Sequence, residues 1–458
     1  MVRRAFLIAA ETTLLGLAGL LAAYVRLSGD ATWQIFHRGD WTKLMLAVVV
    51  IQLCFYLFDL YDMARLHVLG KALPALAKAF LCATVLLSVL FYAVPMLMLG
   101  RGIFLISLVF SAVIISACRI LMAWYAGHPQ LGIRERILVL GSGEQAIEVA
   151  RATIERRSRG FHVVGFVDDK PHLVGKSLIN PSVIGLTQDL EDLVQRHSVD
   201  RVVVAVEDRR GKFPIGDLLN LRLRGRVAVE EGACYYERLT GKINTDMLRP
   251  SWLIFSQGGR YSDFEHRVRR VFNIVMSSSG IVLSLPIMLI VAIAVKLDSK
   301  GPIFYLQERV GENDRIFKII KFRSMRAAAE RESGPVWASE SDPRVTRVGR
   351  IIRKLRLDEL PQFINILRGD MSFVGPRPER PEFVEELKVV VPYYSRRHLI
   401  KPGLTGWAQI RYPYGASVED AVEKLRYDLY YIKNKSWLLD AAIAFETIKI
   451  VLFGRGAR

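Results

Sequence analysis

Cysteine is scarce and scattered. The chain holds four in 458 residues, at positions 54, 82, 118 and 234, and no two form a Cys-x-x-Cys pair. That excludes a zinc ribbon and a disulfide framework and fits a reducing compartment. Cys54, Cys82 and Cys118 lie inside apolar runs, whereas Cys234 stands alone in a polar region. Nucleic-acid signatures are missing too. Apart from a cluster at 353–356 the Arg and Lys residues are dispersed, with no aromatic stacking platform among them, so no nucleic-acid partner is expected. Between Gly141 and Arg260 there is also no Tyr-x-x-x-Lys pair. This absence argues against a nucleotide-sugar-modifying oxidoreductase.

What the chain has instead is 51% hydrophobic residues together with a net charge of +18. A soluble globular protein rarely combines the two, whereas a membrane protein with a basic face on an anionic leaflet does so naturally. Its length predicts two or three domains. Four apolar segments open it, roughly 6–25, 44–60, 79–99 and 103–125, each about long enough to cross a bilayer as a helix. Residues 1–130 therefore read as a membrane α-helical bundle. Arg3 and Arg4 precede the first segment and no small-residue cleavage site follows it, which marks a retained span that starts on the cytoplasmic side. An even number of spans returns the basic remainder to that side. Glu11, inside the first span, is expected to pack against a neighbour as a paired residue.

From about Arg134 the texture changes. RILVLGSG, FHVVGFVDD, RVVVAVED and RVAVE read as strands, and EQAIEVARATIERR, DLEDLVQRH and PIGDLLNLRLR as helices. The alternation predicts an α/β Rossmann-like domain over 131–233, built on a parallel, doubly wound sheet. Gly141, Gly143 and Ala146 make a G-x-G-x-x-A turn after the first strand, and Asp168 and Asp169 end the second, the outline of a CoA- or NAD-type dinucleotide site. Tight strand-to-helix turns need glycine in any case. The shortness of the module favours a regulatory or assembly domain that binds nothing.

Residues 234–266 read as a linker. Arg267, Arg269 and Arg270 then lead into an apolar stretch, 271–297, with Pro286 in its middle. Proline donates no amide hydrogen and crowds the carbonyl four residues back, that of Val282. The Ser284 hydroxyl is the candidate partner for that carbonyl. The stretch is either a kinked span or a re-entrant helix that enters and leaves on one face. Cations at both ends, with Lys296 and Lys300 on the far side, favour the second.

The segment Arg353–Glu379 puts adjacent acids, Asp358 and Glu359, behind Arg350, Arg353, Lys354 and Arg356, and closes on Pro376-Arg377-Pro378. Two acids among fixed cations suit chemistry on a phosphate: the cations hold the oxyanions, and the acids attack phosphorus or hold a divalent metal. The same residues also read as a solvated segment opening a helix, with Asp358 as N-cap and Pro361 in the first turn. As a cap, Asp358 would have its basicity lowered by the helix dipole. Lys321, Arg323 and Arg326 would line the face of the acids as phosphate ligands or rest on lipid headgroups. Arg377, held between prolines, suits bidentate recognition of a base or a phosphate.

Six blocks in one order carry a resemblance: QERVG (307–311), KFRSM (321–325), LDELPQ (357–362), GDMSFVGPRPE (369–379), KPGLTGWAQ (401–409) and YDLYYIKN (427–434). Together they resemble the bacterial sugar transferases, the polyprenyl-phosphate phosphoglycosyl transferases with a single re-entrant helix. The four spans and Rossmann-like module resemble the large subgroup that starts exopolysaccharide repeat units, as do YPYGAS and the terminal GRGAR. The resemblance implies that residues 267–458 form an α+β, mostly helical catalytic domain with its re-entrant helix at 271–297. It implies transfer of a sugar 1-phosphate, a hexose phosphate by the subgroup, from a UDP-sugar to undecaprenyl phosphate with release of UMP. Asp358 would be the nucleophile, and Asp358 and Glu359 would hold Mg2+. Pro376, Arg377 and Pro378 would contact uridine, with Lys321, Arg353 and Arg411 at phosphate-binding positions. It also implies a homodimer in the bacterial inner membrane, its catalytic domain facing the cytoplasm. Family members often carry serine directly before the kink proline, where this chain has Leu285, with Ser284 one residue earlier. An N-acetylhexosamine or deoxy sugar fits the same residues, and a non-catalytic scaffold for polysaccharide synthesis is the competing class.

Overall fold

The computed structural model describes residues 2–27, 40–61, 69–127, 135–156, 160–206, 213–225, 227–246, 263–326, 343–412, 415 and 417–453. GRGAR and half of YPYGAS lie outside the described residues. The chain forms two compact units, Met1–Val229 and Glu230–Arg458.

The first unit opens with α1 (Val2–Leu27), α2 (Asp40–Leu57), α3 (Leu69–Ala93) and α4 (Arg101–Gly127). Within α1, α3 and α4, Phe6–Leu27, Ala72–Ala93 and Arg101–Trp124 are long and apolar enough to cross a membrane, and Trp41–Leu57 is a shorter apolar helix. Leu15, Phe55, Leu87 and Ile115, one from each, share a buried core. Glu11 pairs with Arg119 of α4, Oε1 to Nη2 at 2.6 Å, both side chains almost wholly buried. The bundle thus places its charge opposite a counter-charge, as apolar surroundings demand.

A Rossmann-like sheet follows: β1 (Glu135–Leu140), α5 (Glu144–Ile154), β2 (Phe161–Asp168), β3 (Val183–Leu186), α6 (Leu190–Arg196), β4 (Arg201–Val204), α7 (Ile215–Leu223) and β5 (Ala228–Glu231). The strand order is β3-β2-β1-β4-β5. β1 pairs in parallel with both β2 and β4, and β2 with β3. Strand β3 has no counterpart in the sequence reading. Its four residues, Val183–Leu186, are interrupted by Gly185, which weakens a strand pattern. Gly141 has φ +113°, and a Cβ there would lie 2.7 Å from the Ala205 carbonyl oxygen. Backbone crowding between β1 and β4 is therefore enough to require this glycine.

In the second unit, part of the stretch read as a linker is folded. Helix α8 (Gly232–Thr240) precedes α9 (Asp263–Asp298), the antiparallel hairpin β6 (Phe304–Val310) and β7 (Ile316–Phe322), and α10 (Arg347–Lys354). Then come α11 (Gln362–Arg368), β8 (Ser372–Val374), α12 (Pro381–Val390), β9 (Gly403–Thr405), α13 (Trp407–Arg411), α14 (Val418–Asn434) and α15 (Trp437–Phe453). Lys433 holds Glu237 of α8 at 2.6 Å, and the Trp407 indole donates to the Gly241 carbonyl at 2.7 Å. These polar contacts tie Glu237 and Gly241 to α14 and α13.

Helix α9 runs unbroken through Pro286. Its Ser284 hydroxyl donates to Gly280 O at 2.6 Å, so the expected partner, Val282, is not the one used. A helical serine reaches back three or four residues, and Val282 is only two away. Other elements accompany α9 along its length. Arg269 pairs with Asp440, and Arg270 donates to the Ile366 carbonyl at 2.7 Å. Asn273 donates to Ser372 Oγ at 3.2 Å, and Gly280 faces Phe363. Met288, Val291 and Val295 share a core with Phe322 and Ile352. The opposite side leaves Val282, Leu283, Ile290 and Leu297 exposed.

Candidate active site

Lys321, near the end of β7, meets the acids because Asn365 ties α11 to that strand. Its carboxamide oxygen accepts from Ile320 N at 2.9 Å and its nitrogen donates to Lys318 O at 2.8 Å. Asn365 is wholly buried, so both bonds are made where water cannot compete. Sequence reading missed it, since an isolated Asn inside a helical pattern carries no signal.

Helix α10 ends where Arg356 takes φ +55°, the left-handed region that side chains other than glycine rarely adopt. That reversal throws Leu357–Glu359 into a single 3₁₀ turn, and Pro361 becomes the N-cap of α11. Asp358 is therefore not a helix cap. The competition went to the Arg356 reversal, which leaves Asp358 and Glu359 four and three residues before Gln362, the first residue of α11, and facing the cations.

Glu359 lies at the centre of these cations. Arg377 Nη2 donates to its Oε1 at 3.1 Å, Lys321 Nζ stands 3.8 Å from the same oxygen, and Arg356 Nη1 lies 3.4 Å from Oε2. Burial alone would raise its carboxyl, yet Arg377, then Lys321 and Arg356, pull it down to about 2. Asp358 goes the other way. Burial, then the charge of Glu359, pushes its carboxyl up to about 6 against Lys321, Arg353 and Arg377. Burial also brings the Lys321 ammonium down to about 8, with Glu359 opposing. Neighbouring acids thus split into one held ionised by its cations and one held more basic than an ordinary carboxyl. Of the cations in the 350–356 run, Arg353 acts on Asp358 and Arg356 binds Glu359, while Arg350 and Lys354 face solvent.

The Pro-Arg-Pro loop is clamped at four successive carbonyls. Gly403 N donates to Pro376 O at 2.9 Å, Arg397 Nη2 to Arg377 O at 2.9 Å, Arg309 Nη1 to Pro378 O at 3.1 Å, and Val310 N to Glu379 O at 2.9 Å. Two prolines remove two backbone donors, so the loop is fixed from outside through its acceptors. Both prolines are buried while Arg377 is part-exposed. Arg397 is itself held by Asp428, 2.9 Å away in a buried pair, and donates to Tyr394 Oη at 2.6 Å. Neither Arg397 nor Arg309 was read as a site residue, since clamps on a carbonyl leave no motif.

Arg323 and Arg411, both expected at phosphate, each also engage another group of the fold. Arg323 is buried and donates to the Ser299 and Lys300 carbonyls at 2.6 and 3.2 Å, closing the C-terminal end of α9. A guanidinium with five donors satisfies the carbonyls a helix end leaves open. Arg411 lies on the Trp407 ring, 4.3 Å from its centroid. Among the described residues no group of three or more His, Cys, Asp and Glu side chains gathers as a metal site.

The family model described as bacterial sugar transferase matches residues 264–454, and one described as CoA-binding domain matches 56–212. The UDP-N-acetylgalactosamine-undecaprenyl-phosphate N-acetylgalactosaminephosphotransferase of Aeromonas hydrophila is 45% identical over 222 residues, 48% of this chain and 52% of that protein. The undecaprenyl-phosphate glucose phosphotransferase of Komagataeibacter xylinus is 34% identical over 333 residues, 71% of this chain and 60% of that one. The UDP-galactose-lipid carrier transferase of Erwinia amylovora is 33% identical over 346 residues, 71% of this chain and 69% of that protein. The chain thus spans between half and two thirds of the first two.

Proposed function

This chain belongs to the bacterial sugar transferase family, and from that premise we propose that it moves a sugar 1-phosphate from a UDP-sugar to undecaprenyl phosphate. The observation that carries the reading is the divided acid pair. Asp358, with its carboxyl near 6, is ionised at neutral pH yet more basic than an ordinary aspartate. One of its oxygens attacks the phosphorus bearing the sugar. The bond from that phosphorus to the UMP oxygen breaks, and UMP leaves with the electron pair. The lipid phosphate then attacks the same phosphorus and frees Asp358. Two displacements let UMP depart before the lipid reacts. Lys321, Arg353 and Arg377 offset the charge of the two anions that must approach each other. Glu359 keeps Lys321, Arg356 and Arg377 in place, and the clamped loop presents Arg377 to the uridine phosphate side of the donor.

Asp358 and Glu359 are the residues that would hold Mg2+. Glu359 is engaged by three cations, whereas burial and its neighbour leave Asp358 short of positive charge. That fits an ion which uses one or two carboxylates and takes its other ligands from water and substrate phosphates. Bound there, it would neutralise charge on the transferring phosphoryl group.

Contacts at both ends of α9 with one domain support a re-entrant helix that seats the acids at the cytoplasmic face of the inner membrane. Relatives are named for glucose, galactose and N-acetylgalactosamine, and we propose a hexose, in exopolysaccharide assembly, by a homodimer. The test is UMP release from a panel of UDP-sugars by the full-length protein with undecaprenyl phosphate and Mg2+, beside Asp358→Asn. Release with one donor and its loss in the variant is expected. Equal release by both proteins sinks the nucleophile. No release with any donor leaves two readings, a donor outside the panel or a scaffold with vestigial catalytic blocks.

A further inference from the structure

Helix α7 of the Rossmann-like module packs Leu218 and Leu221 into the core of its unit. Its other face is apolar as well. Ile215, Leu219 and Leu223 repeat every four residues along it and are 67%, 53% and 74% exposed. Beside them stand exposed Arg222 and Arg224, the latter sharing Glu191 of α6 at 3.4 Å. Asp217 is the one acid within the helix. Nothing in the phosphate chemistry uses this face, and no inward packing explains three aliphatic side chains left in water.

We propose that α7 docks the module onto an anionic lipid surface, Ile215, Leu219 and Leu223 entering the headgroup boundary while Arg222 and Arg224 meet lipid phosphates. An apolar stripe bordered by Arg is the composition of a helix lying in a membrane interface. Cations close to an anionic leaflet add favourable energy that falls away within a Debye length.

The topology brings the face within reach. Only residues 128–134 separate the end of α4 from β1, a link of at most ~3.5 Å per residue. Arg136 N donates to Asp200 Oδ2 at 2.8 Å, Asp200 N to Arg136 O at 2.9 Å, and Ala228 N to Asp200 O at 2.9 Å. These bonds line up the starts of β1, β4 and β5 on the edge where the tether arrives. Helix α7 runs toward that edge, so Leu223 and Arg224 end beside it.

A second copy of the chain is the weaker occupant. A two-fold contact would set this patch against itself and gather the net positive charge of both copies in one seam. A lipid surface has the opposite charge.

The experiment is hydrogen exchange on the full-length protein in nanodiscs of phosphatidylcholine alone or with phosphatidylglycerol. Amides of 215–223 are expected to exchange about tenfold more slowly in the anionic discs. Leu219→Ser/Leu223→Ser removes that difference while sheet amides keep their protection, because both side chains are exposed. Equal exchange of the wild type in the two discs overturns the proposal without any variant. So does protection that follows the number of chains per disc and ignores lipid charge, which would give the face to a second copy.

Discussion

Asp358 and Glu359 are adjacent, chemically alike and electrostatically opposite, and the difference is measurable. At pH 7.5 an ionised Asp358 sits in a buried place that disfavours its charge. Asp358→Asn should therefore abolish transfer, by at least ~10³-fold, while raising the melting temperature. The gain is of the order of 2–4 °C for each kcal/mol relieved. The sign follows from linkage. A carboxyl raised from 3.8 to about 6 in the fold destabilises increasingly as pH climbs through that interval, and fully above it. The melting difference between wild type and variant should then shrink as pH falls from 7.5 through about 6 and vanish only below 3.8. A difference independent of pH would contradict it. Turnover efficiency should fall as pH drops through about 6, where Asp358 becomes protonated, as a single acidic limb in kcat/KM. Farther out, Arg397→Met leaves Asp428 buried without its cation and the Arg377 carbonyl without its donor. It should cost ~3 kcal/mol of stability and raise KM for the UDP-sugar more than it lowers kcat. A kcat loss at unchanged KM would remove Arg397 from the donor side of the site.

At the scale of elements, two of the sequence blocks exist because backbones cross. A Cβ on Gly403 would lie 2.1 Å from Gly375 N, and one on Gly406 would lie 2.2 Å from Gly375 O. Gly403→Ala should therefore displace the Pro-Arg-Pro loop at its first clamp. Donor binding by calorimetry should weaken at least tenfold, whereas Gly216→Ala, with nothing within 4 Å, serves as the silent control. The acids, the Pro-Arg-Pro turn and Lys321 were legible as blocks for another reason. Each depends on chemistry that only certain residues supply. The long helices were legible because apolar runs have one solution in a bilayer. Less legible were features decided by a single backbone torsion or a distant partner. The left-handed Arg356 turned an expected cap into a 3₁₀ turn. Arg323 looks in sequence like Lys321, two residues earlier, yet β7 ends at Phe322 and Arg323, past that end, reaches the end of α9. Asn365 and Arg397 act through carbonyl and amide groups that every residue has, so sequence cannot announce them.

For the whole molecule, charge and apolar surface together fix what the membrane must touch. In the second unit the exposed side of α9 and the exposed residues Leu438, Phe445 and Ile448 of α15 are apolar. The ends of α9 are polar: Arg269 pairs with Asp440 at one, and Arg323 and Asp298 bind backbone at the other. A helix crossing the bilayer would have to carry one of those ends, with its partners, to the opposite side. The partners belong to a single folded unit, and separating them would leave buried charges unpaired at several kcal/mol each. Both ends should thus be found on one side. Cysteine introduced at His266 and at Lys300, in a chain whose four native cysteines are replaced by serine or alanine, tests this in spheroplasts. A membrane-impermeant maleimide should label neither position in sealed cells and both after permeabilisation. Labelling of one position alone in sealed cells would make α9 a span, and the acids would then need another way to reach the lipid phosphate.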